Sequence, residues 1–226
     1  MDLIADASRL ETGEFMNSNA TAAVSVSYDP YDYWEQDLAQ RLRLARPEDS
    51  VRGMFANGLL DAVRGLAGDE AVSHCLEASG QSRFVDFFNY PISAHLRVVF
   101  TGARFLVPRF GNMEEALRQL GRRSAADFMD SAAGKTMMKL LARGDPRRLV
   151  DALPSAYRMS LTFGNHKVEW LGPTNGRYIL TRNFIPLPSH EGVLRALLET
   201  SNARDIRVRG RQTSGLLDGE YEFSWE

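Results

Sequence analysis

Between residues 156 and 164, aromatic or aliphatic side chains (Tyr157, Met159, Leu161, Phe163) alternate with polar or small ones, the period-two pattern that predicts a half-buried strand. Gly164-Asn165 turns the chain, and residues 166–171 predict a second strand with Val168 and Trp170 on one face. A Gly/Pro/Asn loop over 172–176 leads to a third strand over 177–184. The period then lengthens: Val193, Leu194, Leu197 and Leu198 recur at helical spacing, with Ser189 placed as an N-cap and Asn202 as a C-cap. Two last strands, over 206–212 and 219–225, are joined across Gly215 and Asp218-Gly219.

The chain before this segment reads as helices. Met54, Phe55, Leu59, Leu60 and Val63 recur at helical spacing in residues 48–66, and a second short helix covers 69–78. Pro91 opens an apolar third helix (Ile92, Leu96, Val99, Phe100, Ala103, Leu106) that Pro108 is expected to stop. A fourth runs over 113–131, and 134–142 and 146–153 complete the set. Residues 1–27, rich in Ala, Ser, Asn and Thr, read as a flexible tail. Tyr28, Tyr31, Tyr33 and Trp34 form either an aromatic lid or the start of a first short helix. The fold class expected is α+β: an N-terminal helical layer packed on a C-terminal twisted antiparallel sheet with one inserted helix. Residues 28–226 form a single domain in this reading, mainly helical over 28–153 and mainly sheet over 154–226.

A chain of 226 residues with 44% hydrophobic content can bury a substantial core, and a net charge of -2 provides no global field for nucleic acid or an anionic membrane. The single cysteine, Cys75, permits neither an internal disulfide nor a multi-cysteine zinc site, which suits a reducing interior and predicts a cytoplasmic protein. The N-terminus carries acids early and lacks the basic and apolar regions of a signal peptide, and no stretch approaches the ~20 apolar residues of a membrane span.

Candidate chemistry is sparse. Ala133-Gly134-Lys135-Thr136 resembles the end of a phosphate-binding loop, but Met129 stands where that loop needs a glycine; a helix N-terminus is the alternative. His74, His95, His166 and His190 show no metal-binding spacing, so no metal site is assigned. His190 reads as a first-turn surface residue, whereas His95 lies on an apolar helix, where a neutral imidazole can ligate haem or bond a backbone carbonyl. No nucleophile elbow is present and no catalytic residue is assigned. Arginine is used almost to the exclusion of lysine. Arg207, Arg209 and Arg211 alternate along one strand face, either to hold an acidic partner or phosphates or to protect a sheet edge, with Glu220 and Glu222 as neutralising neighbours.

The runs SVRGMFANGLLDAV (from Ser50), FVDFFNYPISAHLRVV (from Phe84) and ALRQLGRRSAADF (from Ala116), with VEWLGP, EGVLRALLE and YEFSW near the end, resemble an uncharacterised paralogous family expanded in myxobacteria. That resemblance implies a bacterial cytoplasmic protein in regulation or signalling. At the level of fold, the order of helices, strand meander, helix and strand pair is similar to four-vinyl-reductase domains, haem nitric-oxide-binding domains and subunits of the TRAPP complex. Those folds imply helices covering a twisted sheet around an apolar pocket. The chain departs from them in lacking cysteines near the final strands, and Tyr157-Arg158-Met159-Ser160-Leu161 does not match the Tyr-x-Ser-x-Arg signature of the haem sensors.

The resulting expectation is a non-enzymatic ligand-binding or regulatory interaction module. Its apolar pocket would be lined by Phe87, Phe88, Tyr90, His95, Arg97, Arg158 and Trp170 and would take an apolar small molecule or a protein partner. The alternatives are a haem or tetrapyrrole sensor ligated by His95, and a homodimeric module without ligand that uses exposed aromatics and the Arg207 strand face.

Overall fold

A computed structural model describes residues 30–131, 135–136 and 144–226. The tail expected over 1–27, Tyr28, most of the helix expected over 134–142, and Ala133 and Gly134 of the phosphate-loop-like segment lie outside the described residues. In chain order the elements are α1 (Pro30–Leu44), β1 (Ser50–Arg52), α2 (Gly53–Ala67), α3 (Asp69–Ser79), β2 (Asn89–Pro91), α4 (Ile92–Phe110), α5 (Met113–Asp130), α6 (Pro146–Ser160), β3 (Asn165–Trp170), β4 (Asn175–Thr181), α7 (Leu187–Glu199), β5 (Arg207–Gln212) and β6 (Gly219–Ser224). The architecture is α+β, as the pattern predicts.

Local chemistry explains most boundaries. Asn112 caps α5 by accepting from the Glu115 amide, and Asp145 caps α6 by accepting from the Arg147 and Arg148 amides, with Pro146 at the first helical position. Gly80 ends α3 in the left-handed conformation. Three expectations are corrected. Residues 156–160, expected to begin a strand, continue α6: Leu149, Val150 and Leu153 set a helical stripe that Tyr157 extends, while Met159, expected on the same face as Tyr157, is exposed. Only Leu161 beyond it pairs, bridging to Val51. Pro108 lies inside the last turn of α4 rather than ending it, and α7 starts at Leu187, so Ser189 is a buried first-turn residue rather than the cap.

The main sheet is antiparallel in the order β3-β4-β6-β5; β1 and β2 form a separate pair. Register alternates its faces. Val168, Trp170, Tyr178, Leu180, Tyr221 and Phe223 face inward against Leu149 and Leu153 of α6 and Leu194, Leu197 and Leu198 of α7. A second apolar cluster lies among α2 to α5, with Leu60, Val63, Leu96, Phe100, Leu117 and Leu120 at its centre.

The two clusters are held together where α5 crosses α7. A Cβ at Gly121 would lie 2.0 Å from the Ser189 carbonyl oxygen, and one at Gly192 would lie 2.0 Å from the Arg118 carbonyl oxygen. Only hydrogen at both positions lets the helices approach this closely. Arg118 then bonds Glu191 (2.9 Å), whose other oxygen accepts from the Gly210 amide of β5 at 2.6 Å, tying α5, α7 and the sheet.

Candidate functional site

Where α6, α7 and the inner sheet face converge, the chain gathers the buried His166, Tyr178, His190 and Tyr221 around the half-buried Tyr157. The Tyr157 hydroxyl lies 3.1 Å from His190 Nε2, and His190 Nδ1 lies 3.2 Å from the Asn183 amide. The Tyr157 ring stacks on His166 at 4.5 Å between centroids, and His166 Nδ1 pairs with the Tyr178 hydroxyl at 2.8 Å. Tyr221 closes the cluster with its ring 5.0 Å from His190; its hydroxyl sits beside Asn183 without a well-aligned hydrogen bond. The register that places Tyr178 opposite Tyr221 brings the two tyrosines together.

Burial fixes the protonation states. It holds His166 down at about 4, with the Arg158 charge adding to the effect, and His190 at about 3, with His166 adding. His95, buried in α4, is lowered to about 4 by burial alone. The Tyr157, Tyr178 and Tyr221 phenols are pushed up from their ordinary value, chiefly by desolvation. The shifts leave the cluster neutral near pH 7, where its members pack and hydrogen-bond with one another.

A pH dependence follows. The unfolded chain protonates its histidines near 6.5, whereas these three folded histidines take up protons only near 4 or below. Across that window the unfolded state binds more protons, so stability rises with pH. The melting temperature should be level above 6.5 and fall as pH is lowered toward about 4. A flat thermal-unfolding profile across this window would contradict the buried neutral histidines.

The seven residues expected to line a pocket do not converge. Phe87 and Phe88 are 76% and 64% exposed. Tyr90 packs edge-on against Phe84 and accepts from the Val85 amide. Arg97 is exposed on α4, and Arg158, on α6 rather than the sheet, bonds Ser155. Trp170 belongs to the sheet-side cluster: its Nε1 donates to Asp151 and Arg147 lies over its face at 3.9 Å. His95 is buried with Nδ1 unpaired. On the outer sheet face Arg211 bonds Glu220 at 2.8 Å and register sets Arg209 opposite Glu222, so two of the three arginines face carboxylates of their own sheet, while Arg207 stands opposite Ser224.

Sequence reasoning missed the site the structure does assemble. His190, read as a surface residue, is buried, and Tyr178 and Tyr221 become neighbours only through pairing of strands separated by α7. Among the described residues, a space beside the cluster lined by Leu149, Leu153, Tyr178, Leu194 and Phe223 amounts to about 10 Å³. That is about one water's worth, and its walls are apolar. A groove of about 230 Å³ lies elsewhere, between Trp34, Arg104, Val107 and Met113 on the helical side.

The family described as "Protein of unknown function (DUF2378)" matches residues 44–226. No curated protein matches. Among solved structures, the unliganded Fe(II) form of the H-NOX protein from K. algicida is similar at 14% identity with a TM-score of 0.60, covering 77% of this chain and 96% of that one. The H-NOX protein from S. oneidensis in the Fe(II)NO ligation state gives 12% identity and a TM-score of 0.59, with coverage of 77% and 99%. A third structure, at 11% identity and TM-score 0.57 with coverage of 76% and 99%, concerns haem redox potential modulated through protein-induced porphyrin distortion. Identities this low establish a shared fold.

Proposed function

The chain belongs to the DUF2378 family, and from that premise we propose that it is a non-enzymatic signalling or regulatory interaction module, built on the H-NOX fold with its interior filled by its own side chains. One observation carries this reading: the seam between the sheet and its helices holds Tyr157, His166, Tyr178, His190 and Tyr221, and the space described beside them is about 10 Å³. Pockets that bury a small molecule run to roughly 300 Å³ or more. A porphyrin does not fit that space.

Donor chemistry alone favours a second reading, a tetrapyrrole ligated by His95, whose buried Nδ1 has no hydrogen-bond partner. The two histidines of the seam, by contrast, are engaged: His190 uses both ring nitrogens and His166 its Nδ1. A ligand at His95 therefore requires the helical layer to open. In the reading proposed here residues 28–226 act as one cytoplasmic domain that signals through its surface, and His95 serves packing.

Native and denaturing mass spectra with an absorption spectrum, taken on protein purified without added ligand, test the proposal. The bare polypeptide mass is expected in both. A mass excess that vanishes on denaturation would establish a carried ligand and overturn the filled-interior reading, and visible absorption would assign it to a tetrapyrrole.

A further inference from the structure

The two edges of the main sheet differ in what they present. Among the described residues its order leaves β3 and β5 outermost, and the ladder tells which of their groups face away from it. The Leu171 amide donates to the Asn175 carbonyl at 3.0 Å. Antiparallel pairs alternate, so Asn165, Lys167 and Glu169 bond β4, and His166, Val168 and Trp170 turn their amides and carbonyls to the open edge. No hydrogen bond among the described residues reaches those outward groups. Helix α6 packs on the inner side chains: Leu149 and Leu153 share a small space with Tyr178 of β4, while Asp151 accepts from the Trp170 indole, which sets the helix over the seam between β3 and β4.

At β5 the Thr213 amide donates to the Asp218 carbonyl at 3.0 Å, and the same alternation turns Gly210 outward, where Glu191 already accepts from its amide at 2.6 Å. Arg207, Arg209 and Arg211 share one face of this strand, so a second β5 laid against it would set arginine opposite arginine. The β3 edge is self-complementary instead. Lys167 and Glu169 are neighbours on the outer face, 2.6 Å from Nζ to Oε1, with side chains 63% and 39% exposed. An antiparallel copy of β3 centred on Val168 would exchange backbone bonds between the two Val168 residues, and between His166 and Trp170. It would also set Lys167 opposite Glu169 on both sides of the centre. Those are the non-hydrogen-bonded pairs, where side chains stand closest. Moving the centre to Lys167 or to Glu169 places like charges face to face.

We propose that a second copy of this chain docks on the β3 edge in that register, an isologous pair that joins the two sheets into one. Backbone groups supply the attraction and the Lys167–Glu169 pairs select the register. Val168, half-buried at the edge, is covered by its own copy, and Leu171, 58% exposed, falls opposite Asn165 of the second copy. The pairing uses the sheet edge alone, so it is independent of what the domain's interior holds.

The test is sedimentation velocity of the purified chain over a range of concentrations. The wild type should pass from monomer to dimer as concentration rises. Lys167→Glu and Glu169→Lys each set like charges opposite one another and should each weaken the dimer at least about tenfold. Both side chains are solvent-exposed, so the melting temperature of the dilute monomer should hold in both variants. Mixing the two single variants makes every cross-edge pair opposite in charge and should restore association, as should Lys167→Glu/Glu169→Lys in one chain. Val168→Pro, which removes an outward amide that the monomer leaves unbonded, should abolish it. A wild type that stays monomeric at every concentration, a dimer that both single variants keep, or single variants that fail to associate on mixing would each overturn the proposal.

Discussion

Replacing Gly121 with alanine, a single added methyl, is expected to destabilise the protein by about 3 kcal/mol or more. The new Cβ would sit 2.0 Å from the Ser189 carbonyl oxygen and 2.8 Å from its carbon, so backbone and not a flexible side-chain end must yield. Gly192→Ala meets the mirror situation against Arg118 and Arg122. Either change forces α5 from α7 and loosens the Arg118–Glu191–Gly210 tie. Gly65→Ala is the matched control: it is also helical, its Cβ would approach nothing nearer than the end of the Arg123 side chain at 3.4 Å, and helix propensity alone should stabilise it by up to about 1 kcal/mol. Urea unfolding of the three variants checks this through their opposite signs. Equal, small effects at all three positions would show that the helix crossing is not close.

Removing the Asp37 carboxylate should be at least as damaging. Asp37 and Arg41 are each 4% exposed, one helical turn apart on α1, and their side chains meet in two hydrogen bonds of 2.7 and 3.2 Å. Arg41 also donates to the Phe184 carbonyl at 3.1 Å, docking α1 on the segment that leads into α7. Asp37→Ala leaves the guanidinium buried with a lone carbonyl, and breaking such a pair from one side costs about 3–5 kcal/mol. Replacing both partners, as Asp37→Leu/Arg41→Met, removes the stranded charge and should recover most of that loss. A double variant no more stable than Asp37→Ala would show that α1 docks through the ion pair itself.

The parts of the fold that were legible in the sequence are those with sustained periodicity. The stripe of Ile92, Leu96, Val99 and Phe100 and the alternation through Tyr178 and Leu180 each correspond to a helix or strand in the structure. Residues 156–160 show where the reading fails: Tyr157, Met159 and Leu161 alternate as a strand would, yet the Asp145 cap and the apolar positions of α6 propagate a helix to Ser160. Only the start of helix α1 was offered, as one of two readings of Tyr31, Tyr33 and Trp34; its further extent went unread, because the short stripe of Trp34, Leu38 and Leu42 that packs on the core is interleaved with polar and charged side chains, among them the ion pair Asp37–Arg41. The candidate site was illegible for a different reason. Tyr157, His166, Tyr178, His190 and Tyr221 lie on α6, α7 and three strands, at spacings that mean nothing until the order β3-β4-β6-β5 is known.

Whether the domain has the H-NOX fold but fills its own interior can be decided by titrating the purified protein with haemin and following the Soret band. A filled interior leaves the broad spectrum of unbound haemin at every ratio, for the wild type and for His95→Ala alike. A sharp band that grows to one equivalent and is lost in His95→Ala would contradict it, showing that the layers part and that the unpaired His95 nitrogen is an iron ligand.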